Sequence, residues 1–110
     1  MWKLVYTTKF KKDMKRYQDN ASKLADLKVV LGQLQQSGTV EAKHKPHQLT
    51  GDYSGCMECH IQNDFLLVWI NEQEQILSLV RLGSHSQAFE KLVGKTASFR
   101  ILFPRQKKVG

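Results

Sequence analysis

The sequence predicts an α+β domain: two N-terminal helices packed on one face of a small, mainly antiparallel sheet, in the order β-α-α-β-β-β, with a short C-terminal helix. Three observations lead there. An alternating apolar run opens the chain. Two stretches of helical periodicity follow it. Beyond a loop, three short strand-like runs are joined by links of hairpin length. A chain of 110 residues, 41% of them apolar, suits one packed domain.

Taken in order, Trp2, Leu4 and Tyr6 alternate with Lys3 and Val5, the pattern of a strand with one buried face. Thr7 or Thr8 can cap the helix that follows, in which Phe10, Met14 and Tyr17 share a face and lysines occupy the other. Asn20 or Ser22 restarts a helix whose Leu24, Leu27, Leu31 and Leu34 form an apolar stripe, and Gly38 stands where a C-terminal cap belongs. Residues 39–55 read as loop, punctuated by Pro46, Gly51 and Gly55. Residues 56–61, 65–70 and 76–82 read as strands. The middle run, FLLVWI, is almost wholly apolar, as a central strand should be. Ser84 or Ser86 can cap a short helix through Phe89 to Val93.

The net charge is +7, from 17 Lys and Arg against 10 Asp and Glu, and it implies a polyanionic partner. The excess is clustered: Lys9, Lys11, Lys12, Lys15 and Arg16 crowd the first helix, and Arg105, Lys107 and Lys108 crowd the tail. The lysines of the first helix are expected to bind RNA. No run approaches the roughly 20 apolar residues of a membrane span, and the basic start lacks an apolar stretch of about 7–15 residues behind it. The expectation is a cytoplasmic protein that does not touch membrane.

All four histidines, His44, His47, His60 and His85, fall between the loop and the last predicted helix, together with Glu58 and Asp64. Residues two apart on a strand share a face, so Glu58 and His60 point the same way. Asp64 falls at the next hairpin, His85 ends the last strand, and His47 lies on the loop entering the sheet. Several imidazoles and two carboxylates can thus converge on one edge. Such a set suits RNA transesterification. A base takes the proton of the 2′-hydroxyl, an acid protonates the departing 5′-oxygen, and a cation such as Arg81 meets the charge on the phosphate. Read singly, each histidine is as well explained as a surface or hydrogen-bonded structural residue.

The string Cys56-Met-Glu-Cys59-His60 matches the CxxCH pattern of covalent haem attachment. A strand sends Cys56 and Cys59 to opposite faces, which disfavours haem and equally a zinc site built with His60 and His47. No metal or cofactor is expected, and the cysteines read as reduced thiols.

The segments PHQLTG, ECHIQNDFLLVWI and LVRLGSHSQAF stand in order and resemble the YafQ branch of the RelE/ParE toxin superfamily, over Trp2 to about Phe89. The resemblance implies residues 1–93 as the toxin domain, and residues 94–110 as a C-terminal extension of unknown role. It implies a ribosome-dependent, metal-independent endonuclease that cuts mRNA in the ribosomal A site. Its catalytic set would be His47, Glu58, His60, Asp64 and His85, with Arg81 on phosphate and Phe89 against the nucleotide. It implies a cognate acidic antitoxin as partner, with DNA reached only through the toxin–antitoxin complex. Glu58 stands where some relatives carry Asp, and Gln48 where the family usually has Pro. His44 matches no catalytic position and reads as a surface residue. Two other functions compete: a ParE-like gyrase-inhibiting toxin, and a non-catalytic RNA- or ribosome-binding module.

Overall fold

Thr7 ends one strand and starts one helix. Its hydroxyl donates to the Leu79 carbonyl at 2.7 Å and accepts from the Phe10 N–H at 3.2 Å, which fixes the first turn to a distant strand. The computed structural model describes residues 1–84. In these, β1 (Lys3–Tyr6) leads into α1 (Thr8–Lys15), and Asn20 caps α2 (Ala21–Ser37) by accepting from the Lys23 N–H. A two-residue strand, β2 (His47–Gln48), follows, and then the meander β3 (Cys56–Gln62), β4 (Phe65–Asn71) and β5 (Ile76–Gly83). Two 3-10 turns, Ala42–His44 and Gly51–Tyr53, flank β2.

The five strands form one mixed sheet in the order β1-β5-β4-β3-β2. Only β1 runs parallel to its neighbour, pairing Lys3 to Tyr6 with Ile76 to Leu79. β4, apolar from Phe65 to Ile70, takes the centre, as its sequence predicts. The helices, the strands of the meander and the α+β class match the sequence reading. The additional element is β2, inside the segment read as loop. The expected helix through Phe89 and the proposed boundary after residue 93 lie outside the described residues.

The helical face carries the larger core. Phe10, Leu27, Val30 and Leu34 meet Cys59, Phe65, Leu67, Trp69, Leu77, Leu79 and Leu82. Cys56, Leu66, Val68, Ile70 and Val80 form a second buried cluster with Leu49 and Tyr53 against it. Cys56 and Cys59 therefore belong to opposite faces, as strand alternation requires. Both are wholly buried, and burial pushes each thiol up to about 12.

Gly38 shows how the N-terminal strand is seated. It closes α2 in the left-handed region at φ 78, its N–H donating to the Leu34 carbonyl at 2.8 Å. A Cβ there would lie 2.4 Å from the Trp2 ring, so the missing side chain is what lets the indole pack on the helix end. The Trp2 N–H donates to the Gln35 carbonyl at 2.7 Å beside it.

Candidate active site

The site assembles at the β2 edge of the sheet. β2 pairs antiparallel with β3, which sets His47 directly opposite Glu58. Opposed side chains on neighbouring strands start about 4.5–5.5 Å apart at Cβ. Here His47 Nε2 reaches Glu58 Oε1 at 2.7 Å. The carboxylate side chain is 6% exposed and the imidazole 46%, so a buried acid presents a ring to solvent.

His47 Nδ1 lies 2.9 Å from the Lys45 carbonyl, which can only accept, so Nδ1 is the donor there. Nε2 faces the Glu58 carboxyl, so both ring nitrogens are held by protein oxygens and the ring is fixed in place. His60, two residues beyond Glu58 on the same face, brings a second imidazole with its ring centroid 6.5 Å from that of His47 and tilted by 34°.

Behind His60 stands His44. It is not the surface residue that the sequence suggested. It is 8% exposed, and its Nδ1 donates to the His60 carbonyl at 2.9 Å. β2 is too short to cover this part of the β3 edge, and His44 takes the backbone acceptor that a longer strand would have paired. Its Nε2 is buried without a partner among the described residues. Lys45, next in sequence, sits in the left-handed region at φ 52 and ψ 53, a conformation that costs a side-chained residue about 1–2 kcal/mol. That turn aims the Lys45 carbonyl at His47.

Arg81 continues the row across the sheet, since Glu58 pairs with Val68 and Val68 with Arg81. Two strand spacings of about 4.8 Å separate its backbone from that of Glu58. The sequence offers its charge to phosphate; the structure commits its guanidinium to Asp13. Arg81 Nε and Nη2 donate to the two Asp13 oxygens at 2.7 and 3.2 Å, and the Leu82 N–H adds a third bond at 2.9 Å. Asp13 was legible as an anomaly, because it shares the apolar face of Phe10, Met14 and Tyr17.

Asp64 occupies the β3–β4 turn at φ 54, which Asp tolerates better than most residues. It acts electrostatically on Tyr17, whose phenol is pushed up chiefly by burial. Lys9, Lys11, Lys12 and Lys15 are exposed on α1. His85 and Phe89 lie outside the described residues. The structure thus brings together His47, Glu58 and His60 and adds His44 behind them. Among the described residues, no group of three or more His, Cys, Asp or Glu is placed to hold a metal ion, and no helix is long and apolar enough to cross a membrane.

Comparison with known proteins then decides the family. The profile of the family described as the bacterial toxin of type II toxin–antitoxin systems, YafQ, matches residues 2–90. The chain belongs to the YafQ toxin family. A YafQ-family chain should share its fold with solved toxins, and it does. A metal-bound toxin from Helicobacter pylori is 40% identical, with a TM-score of 0.71 over 81% of this chain and 100% of that one. YafQ in the E. coli DinJ–YafQ toxin–antitoxin complex is 25% identical, with a TM-score of 0.70 over 80% and 97%. A YoeB/ParE toxin from Agrobacterium tumefaciens is 21% identical, with a TM-score of 0.64 over 76% and 98%, a likeness of fold alone. No curated protein sequence matches the chain.

Proposed function

We propose that this YafQ-family toxin is a ribosome-dependent mRNA endoribonuclease that works by histidine and carboxylate proton transfer. The observation that carries the reading is the His47–Glu58 pair, a carboxyl holding a half-exposed imidazole, with His60 beside it. One imidazole removes the proton of the 2′-hydroxyl, and the 2′-oxygen attacks the adjacent phosphorus. The bond to the 5′-oxygen breaks as a second group protonates that oxygen. The products are a 2′,3′-cyclic phosphate and a 5′-hydroxyl. The acid and the base of this scheme are drawn from His47, His60 and His85. Asp64 and Phe89 complete the proposed set; Arg81, buried against Asp13, is read as holding α1 to β5 and not as meeting phosphate. Every proton in this scheme has a side chain to carry it, so the reading requires no metal or cofactor.

The exposed lysines of α1 suit ribosomal RNA, and the same basic surface suits an acidic antitoxin, as the DinJ–YafQ complex suggests by analogy. DNA would be reached only through that complex, and the working compartment is the cytoplasm. Residues 94–110 are proposed to lie outside the toxin domain. The test is cleavage of a defined message in a translating extract and in one stripped of ribosomes. Cutting only in the first, abolished by His47→Ala, supports the proposal. Intact message in both, with growth arrest relieved by extra gyrase, points to a gyrase poison instead. Binding to ribosomes without any cutting points to a non-catalytic module.

A further inference from the structure

Beside the proposed active site, between α2 and the far end of β3, lies a cleft of about 520 Å³. Pockets of about 300–1,000 Å³ are the size that holds small ligands. One wall is apolar, from Val29, which is 55% exposed on α2, and Ile61. The rim is cationic, from Lys43 and Lys45. His60 is common to the cleft and to the proposed catalytic group.

The tripeptide Lys43-His44-Lys45 ties the cleft to the chemistry. The His44 ring holds the His60 carbonyl, and the Lys45 carbonyl holds the His47 ring. One short turn therefore positions both imidazoles and carries the two lysines that flank them. His44 also lines the cleft, and its buried Nε2 has no partner among the described residues. Because Nδ1 donates to a carbonyl, Nε2 of the neutral ring is an acceptor. An entering group with an N–H would satisfy it.

We propose that this cleft is a nucleotide subsite for single-stranded RNA, taking the nucleotide next to the scissile phosphate. This rests on the nuclease reading above, through the shared His60. The neighbouring phosphate lies on Lys43 and Lys45. The base lies against Val29 and Ile61, within reach of the Asn63 amide, and an amino-bearing base is favoured by His44. The lysines outnumber the one acidic lining residue, Asp26, which accepts from Gln62 Nε2 at 2.7 Å. Lys43 touches Glu41 at 3.8 Å, an exposed pairing that a phosphate displaces readily.

The test uses the whole chain and a 2′-O-methyl RNA pentamer, which cannot undergo transesterification. Its binding should shift the methyl signals of Val29 and Ile61 and the ring signals of His44. Lys43→Gln combined with Lys45→Gln should weaken pentamer binding about tenfold and lower the salt slope by about 0.7 for each phosphate that is no longer neutralised. The same variant should bind a nucleoside, which carries no phosphate, as the wild type does. Val29→Glu, which places a charge on the apolar wall, should weaken the pentamer without touching either lysine. Unchanged pentamer affinity in both variants overturns the proposal. So does a result in which an acidic peptide, and not RNA, shifts Val29 and His44, since the cleft then docks a protein. If the pentamer behaves as expected while unmodified message is never cut on ribosomes, the subsite stands and the nuclease reading falls.

Discussion

Asp13–Arg81 and His47–Glu58 are both acid–base contacts of 2.7 Å, and their surroundings give them different work. In the first, both side chains are buried, at 3% and 7% exposed. Asp13 takes two bonds from the guanidinium and one from the Leu82 backbone, so the carboxylate is held on every side and locks α1 to the end of β5. In the second, only the acid is buried. The imidazole keeps part of its surface in solvent, where a substrate can reach it. Distance alone does not separate a structural ion pair from a chemical one; the exposure of one partner does.

The largest effect expected is on the second pair. His47→Ala should lower single-turnover cleavage on ribosomes by about 10²–10⁴-fold, the usual contribution of one positioned acid or base, and should also cost some stability, because it leaves the buried Glu58 carboxyl without its partner. Glu58→Gln should approach that loss while keeping the ring in place. A folded His47→Ala variant that cuts at the wild-type rate would make this pair structural too.

The first pair should respond mainly in stability. Asp13→Ala strands a buried guanidinium, and removing one partner of a buried pair typically costs about 3–5 kcal/mol. Denaturant unfolding should show that loss. Asp13→Ala combined with Arg81→Met should recover much of it, because no buried charge is then left alone. A single variant as stable as the wild type would show that the pair is not needed for the fold.

Gly38→Ala comes next, at about 2–4 kcal/mol, from left-handed strain and the collision with Trp2. Trp2→Ala in the same background should remove the collision and leave only the strain, and strict additivity of the two changes would sink that account.

The smallest effect concerns the thiols. With both held up near 12 by burial, Cys56 and Cys59 should resist iodoacetamide at pH 9 in the folded chain and react on unfolding. An unfolded cysteine ionises near 8.5. The unfolded chain therefore sheds these protons first as pH rises, and the stabilisation by the protonated thiols fades between about pH 9 and 12. Rapid labelling of the native protein at pH 9 would contradict this.

What periodicity governs was legible in the sequence. The caps at Thr7, Asn20 and Gly38, the central place of FLLVWI, and the opposite faces of the two cysteines follow from spacings of two or 3.6 residues. β2 was not legible, because two residues cannot show a period; its strand character comes from pairing with β3. The burial of His44 depends on that same short strand leaving the His60 carbonyl open. Parallel pairing of β1 with β5 joins residues 73 apart and has no local signal. Of the candidate site, Glu58 and His60 were placed on one face correctly, whereas the anchoring of Arg81 needed a partner 68 residues away.

The docking of the N-terminus onto β5 also orders events during synthesis. β1, the cap of α1 and Asp13 all take their partners from residues 76–82, so the first elements made are among the last to be seated. Until β5 is available, α1 keeps its apolar face uncovered and the sheet lacks two neighbouring strands. Contacts of such long sequence separation slow folding. Members of this family are toxins, and the chain's own translation therefore sets the earliest moment at which the complete sheet exists.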